Sequence, residues 1–187
     1  MSEISKNSEV FKTLRFSSEQ TEELKKRGFI IFELTGQSIT SIKASRNFFS
    51  SYWHNGKDIE HVTSKNSEVA INPERLYLPY SGNLTLPDQL LLTDRYSKNV
   101  SQEIPGVVAV IGSMADYLEL ECLYRDNTLR SMTLYAARDD RISTTTLTEA
   151  GRNVFVGESF DGGLVASYRF GLAYTDIKVV PLIVPEV

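Results

Sequence analysis

Residues 17–34 read Ser17-Ser18-Glu19-Gln20-Thr21-Glu22-Glu23-Leu24-Lys25-Lys26-Arg27-Gly28-Phe29-Ile30-Ile31-Phe32-Glu33-Leu34. The first four have the form of a capping box, with Ser17 as N-cap and Gln20 reaching back to its backbone. The helix so opened runs to Arg27, where three cations suit the negative end of its dipole. Gly28 then stops it, because glycine accepts the left-handed position after a helix at little cost. Phe29–Leu34 follows at once and is dense in β-formers, which predicts a strand. A helix giving way directly to a strand sets the expectation for the chain: mixed elements, not a bundle and not an all-β barrel.

Working outward, the preceding residues 1–16 are polar and without period, and are expected as a mobile N-terminal arm. After the Thr35-Gly36 break, Ile39, Ile42 and Phe49 approach helical spacing, predicting a helix over 38–48. Phe48–Trp53 could equally begin a strand. His54–Ser67 is a polar connection carrying the turn dipeptide Asn55-Gly56, and Glu68–Ile71 is a short strand ended by Asn72-Pro73. Three prolines within Asn72–Pro87 predict an ordered loop. Thr85 caps a helix starting near Pro87, with Leu86, Leu90 and Thr93 along one side and fraying near Ser101. Pro105-Gly106 is a turn, and Val107–Ile111 is a β-branched, uninterrupted buried strand.

Ser113 with Asp116 gives a second capping box, for a helix over 114–124. Leu129–Ala136, Asn153–Val156, Gly163–Phe170 and Ile177–Val184 read as short strands between turns. The predicted fold is therefore one α+β domain over 17–187, with helices and strands mixed through the N-terminal two thirds. The last third is mostly short strands.

Three segments together carry a resemblance. They are Arg27 to Ile39 (RGFIIFELTGQSI), Ser67 to Pro73 (SEVAINP) and the closing Pro181-Leu182-Ile183-Val184-Pro185. In this order they resemble a family of small uncharacterised proteins predicted in candidate-phyla bacterial genomes. The likeness spans most of 18–185 and is weakest over 125–150. It implies a folded domain; no activity, cofactor or catalytic residue comes with it.

Composition narrows the function classes. The 187 residues are 41% hydrophobic and 24% charged, which describes a globular chain able to bury a core without disulfide or metal. Lys+Arg is 20 against Asp+Glu 24, a net charge of −4. Phosphate recognition needs a basic face, and the densest basic run, Lys25–Arg27, is preceded by Glu22 and Glu23. Nucleic acid is therefore not the expected partner. No apolar run approaches a membrane span, and the polar start lacks a secretory h-region. Cys122 is the only cysteine, so no intrachain disulfide forms, and its apolar setting predicts a buried, unreactive thiol. A cytoplasmic protein is expected.

Chemistry-bearing motifs are sparse. Neither a phosphate-cradling loop nor a dinucleotide turn occurs. Gly157-Glu158-Ser159-Phe160-Asp161 begins like a nucleophile elbow, but Asp161 stands where the second glycine is needed. A turn between strands is the better reading. His54 and His61 are the only histidines, and with Cys122 they fall short of four structural zinc ligands. No cofactor or metal is expected. Glu119 and Glu121 fall on different sides of a helix, and Asp139-Asp140 is neutralised by Arg138 and Arg141.

Two aromatic segments stand out as binding candidates. Phe48–His54 (FFSSYWH) holds the sole tryptophan, Trp53, beside His54, although burial of these aromatics is the stronger reading. Ala166–Thr175 (ASYRFGLAYT) combines Tyr168, Arg169 and Tyr174 with serine and glycine, a composition used by adaptable binding loops. Its alternative is a plain β-turn between half-buried strands. The leading expectation is a non-catalytic binding or interaction domain that meets a protein or small molecule through an aromatic loop surface. The alternative is a hydrolase-type enzyme with an acid/base site around His54, His61 and Asp58 or Glu68. A third reading is an oligomeric structural part, paired through apolar C-terminal strands.

Overall fold

The computed structural model describes residues 13–46, 59–132, 141–158, 164–169 and 174–186, with the backbone alone for 158 and 164–169. Four α-helices and eight strands lie within them: α1 (Ser18–Lys26), β1 (Ile30–Thr35), α2 (Ile39–Ser45), β2 (Asn66–Ile71), α3 (Leu86–Glu103), β3 (Val107–Val110), α4 (Met114–Thr128), β4 (Arg141–Leu147), β5 (Asn153–Glu158), β6 (Leu164–Arg169), β7 (Ile177–Lys178) and β8 (Leu182–Pro185). The fold is α+β, as expected.

The strands form two four-stranded sheets. The first has the order β1-β2-β8-β3, antiparallel throughout. The second has the order β6-β5-β4-β7, antiparallel except where β7 lies parallel to β4. Chain order explains the joining of the two: β7 closes the second sheet, and four residues later β8 fills the middle of the first. The run expected as a single strand over Ile177–Val184 is therefore split between sheets at Val179-Val180-Pro181, all buried or beside buried residues.

Successive side chains of a strand point to opposite faces, and the first sheet buries both. Phe32 and Leu34 of β1, Val69 and Ile71 of β2, and Leu182 and Val184 of β8 face one cluster. Ala70, Ile183, Val107 and Ala109 face the other, with Phe16, Leu24, Val100 and Ile104. Helices cover both sides: α4 packs on the first cluster's face, while α1 meets β1 and α3 meets β3. This double cover is why Val107–Ile111 reads as an unbroken apolar run. It forms an edge strand with alternating burial, not a central one.

Helix α4 also packs against β4 and β5, so it lies between the sheets. Ile142, Val154 and Val156 of the second sheet share its cluster with Met114, Leu118 and Cys122. Burial all round explains the residues of α4, ten of which are buried. At its start the Ser113–Asp116 capping box is formed in both directions, as is the Ser17–Gln20 box of α1. The Tyr117 hydroxyl accepts from Gly112 N at 3.0 Å and donates to Val180 O at 2.6 Å, tying the α4 entry to the crossing between sheets.

Several expected boundaries move. Packing begins before Ser17: Leu14 bridges Ser67 and Phe16 is buried, so the last four residues of the expected arm are docked on β2. Residues 1–12 lie outside the described residues. Helix α2 ends at Ser45, and Phe48–Trp53 lies outside them too. Helix α3 continues to Glu103, and its inward face is Gln89, Thr93 and Val100; Leu90 is exposed. Helix α4 runs four residues past Tyr124 and ends on Leu129 at φ 57°. Leu129–Met132 is thus a helix end where a strand was expected, and 133–136 lies outside the described residues.

Candidate functional site

The loop Tyr77-Leu78-Pro79-Tyr80-Ser81-Gly82-Asn83 leads into α3 and lies against the C-terminal residues 174–179. Pro79 and Gly82 favour a turn here, and two residues take left-handed backbone, Tyr80 at φ 63° and Asn83 at φ 58°. Asparagine enters that region with its short amide's help, whereas a tyrosine pays about 1–2 kcal/mol for it. Tyr80 receives no return in burial: 93% of it is exposed. Leu129 is equally exposed and left-handed, but there the conformation caps α4; Tyr80 ends no helix, which makes it a candidate functional position.

What holds Tyr80 there is a buried polar base. Ser81 and Gln89 are almost fully buried. Gln89 Nε2 donates to Ser81 O at 2.8 Å and to Ile177 O at 3.1 Å. Val179 N donates to Ser81 Oγ at 3.0 Å, and Leu78 N donates to Val179 O at 2.8 Å. On the other side Asn83 N donates to Tyr174 O at 2.8 Å, and Leu84 bridges Tyr174. Buried hydrogen bonds of this kind are costly to break, since each orphaned partner loses its solvation. The loop is therefore clamped at both ends.

Gly82 sits where the loop crosses residue 175: a Cβ there would lie 2.7 Å from Thr175 O, too close for any side chain. Lys178 Nζ stands 5.3 Å from the centre of the Tyr77 ring, within cation–π reach. Between these groups lies a shallow cavity of about 370 Å³, bordered by Tyr77, Pro79, Tyr80, Asn83, Thr175 and Lys178. Two rings, a cation and backbone carbonyls around a concavity can take an apolar or aromatic side chain together with an acceptor group.

Of the residues singled out from sequence, Tyr174 belongs to this site through its backbone. Tyr168 and Arg169 are in β6, paired with Val154 and Asn153. Strands β6 and β7 are opposite edges of their sheet, with β5 and β4 between them. Three strand spacings amount to about 14 Å. Residues 166–169 thus belong to strand β6, residues 170–173 lie outside the described residues, and Tyr174 precedes β7, which pairs with β4 and not with β6. Trp53, His54 and Asp58 lie outside the described residues. Sequence reading missed Tyr77, Tyr80, Lys178 and the Ser81–Gln89 base; the available signal was the composition of 77–83, two tyrosines among proline, serine, glycine and asparagine.

Among the described acid/base candidates, the carboxylates Glu60 and Glu68 are engaged. His61 is exposed on a turn, Glu60 pairs with Lys43 at 2.6 Å, and Glu68 accepts from Phe16 N at 2.8 Å. Three carboxylates of α4 are buried, and each is met by donors. Asp116 takes Lys65 N and Nζ and Ser113 N. Glu119 takes Thr35 N and Oγ1 and the Ser64 hydroxyl. Glu121 takes Arg125 Nε, Ser131 Oγ and Met132 N, and burial pushes its carboxyl above the ordinary range against those donors. Glu119 and Glu121 thus serve different sides of the helix. Burial also pushes the Cys122 thiol up to about 12, which leaves it without thiolate at neutral pH. Glu158, the second residue of the elbow-like motif, ends β5 and pairs with Leu164 of β6, so the connection there runs strand to strand.

Among the described residues no cluster of His, Cys, Asp and Glu has the makings of a metal site, and no helix is long and apolar enough to cross a membrane. Compared with known proteins, the chain matches no family model, no curated protein and no solved structure.

Proposed function

We propose that this chain is a cytoplasmic, non-catalytic interaction domain whose recognition surface is the 77–83 loop with residues 174–178. The observation that carries the reading is Tyr80, fully presented to solvent in a left-handed conformation on a loop locked from below. Fixing an aromatic before the partner arrives lowers the ordering cost of association, which is how rigid tyrosines act as interface anchors. Lys178 adds a charge that favours an acidic or carbonyl-rich contact beside the ring. A reduced, buried Cys122 and the absence of any other cysteine fit a reducing compartment.

The test is affinity capture from source-cell lysate with the wild-type chain and the Tyr80→Ala and Lys178→Ala variants, beside their melting curves. The expected outcome is a partner retained by the wild type, lost at least tenfold with Tyr80→Ala and weakened with Lys178→Ala, since interface anchors of this type exceed about 1.4 kcal/mol. Melting temperature should stay nearly constant for Tyr80→Ala, whose side chain packs on nothing. Equal recovery of every captured protein by wild type and variants would remove the loop from the recognition surface.

A further inference from the structure

On another face, the ends of α1 and α3 and the turn after β2 enclose a groove of about 540 Å³, the size of a small-molecule site. Its apolar lining comes from Phe29, Leu76, Val100, Ile104 and Pro181. Polar groups around it fall into two sets. Arg27 is committed, to Glu23 at 2.7 Å and to Glu103, and Asn72 is committed as well, donating to Arg27 O at 3.1 Å and accepting from Glu74 N and Arg75 N. The Arg75 guanidinium, the Tyr96 hydroxyl and the Asn99 amide have no hydrogen-bond partner among the described residues.

Arg75 extends from the short 3-10 turn Pro73–Arg75, which the Asn72 side chain caps, so its base is fixed while its head group is exposed. Glu103 and, less strongly, Arg75 lie near enough to Tyr96 for their charges to act on the phenol. Burial pushes the Tyr96 phenol up, so its O–H remains a donor at neutral pH. Glu74 and Glu103 also line the groove; Glu103 is already paired with Arg27, and among the described residues Arg75 is the lining cation without an ion-pair partner.

We infer that this groove binds a small carboxylate with an apolar or aromatic body, the carboxylate meeting Arg75 and the Tyr96 hydroxyl while the body lies on Phe29, Leu76 and Val100. Guanidinium–carboxylate contact is planar, can be two-pronged, and strengthens beside an apolar wall. The apolar lining then selects against small hydrophilic acids, which gain nothing from it.

The experiment is a titration of the full chain, followed by backbone amide NMR, with three probes: 3-phenylpropionate, indole-3-acetate and octanoate. Each is paired with its neutral primary amide. The expected result is saturable shifts at residues 72–76 and 96–104 for at least one acid, with a dissociation constant of about 1 mM or tighter. The matching amide should bind about tenfold more weakly, and Arg75→Gln should abolish that difference while leaving the melting temperature unchanged. Tyr96→Phe should weaken the acid by a smaller factor. The inference is overturned if none of the acids saturates those residues, if acid and amide bind alike, or if Arg75→Gln preserves the preference for the acid.

Discussion

Helix α4 and the 77–83 loop use the same device for opposite ends. Both depend on buried polar side chains that bond groups from distant segments. Around α4, the carboxylates of Asp116, Glu119 and Glu121 gather Lys65, Thr35, Ser64, Ser131 and Met132, and all of these contacts point inward. Around the loop, Gln89 reaches the carbonyls of Ser81 and Ile177 and Ser81 Oγ takes Val179 N, yet the adjoining Tyr80 is an aromatic left bare. A polar network that supports only buried neighbours is architecture. One that supports a strained, exposed ring has stability invested in presentation.

The largest effect should come from breaking the inward network. Glu121→Ala removes the acceptor for Arg125 Nε, Ser131 Oγ and Met132 N at once, and the Arg125 side chain is only 14% exposed. Losing one partner of a buried, hydrogen-bonded ion pair costs about 3–5 kcal/mol. A urea unfolding midpoint should drop accordingly, with little change in slope. A variant as stable as wild type would place that carboxylate outside the structural set and reopen it for chemistry.

Gly82→Ala comes next and sharpens the contrast from the loop side. The new Cβ would meet the Thr175 carbonyl at 2.7 Å, and a backbone oxygen tied into the chain cannot swing away as a side chain can. Overpacking of this sort costs about 1–3 kcal/mol. The loop and residues 174–176 should separate, read as amide shifts confined to those segments, and partner capture should fall with them. Wild-type capture by this variant would mean that the loop's seating on residue 175 is incidental to recognition.

How much of this was legible in sequence depends on whether the cause was local. Caps are local: Ser17, Thr85 and Ser113 each sit three residues before the backbone they bond, and all three start helices as expected. The strand β4 was invisible because Ser143, Thr144 and Thr146 are buried polar residues, satisfied by bonds such as Thr144 Oγ1 to Val154 O and Met114 N to Thr146 Oγ1. Periodicity of apolar residues cannot register such a strand. The face of α3 was misjudged for the same reason: Gln89 turns inward because Ser81 and Ile177 await its amide, and Leu90 is left outside. The candidate site was half legible. Tyr174 was marked by composition, whereas its neighbours in the 77–83 loop come from some ninety residues earlier and meet it only through tertiary pairing.

The smallest expected change in stability is also the most discriminating. Tyr80→Gly keeps the loop's backbone path but relieves the left-handed cost, since glycine adopts φ near 63° freely. Glycine also gains entropy in the unfolded chain, so the net stabilisation is at most about 1 kcal/mol. If Tyr80 serves the fold, the variant should be less stable, because contacts are lost and backbone entropy rises. If it serves recognition, the variant should melt at the wild-type temperature or slightly above while binding falls as far as in Tyr80→Ala. A gain in stability paired with a loss of capture is the pattern expected where a protein tolerates strain for the sake of a contact. The buried carboxylates of α4, whose removal is expected to destabilise, have no counterpart to it.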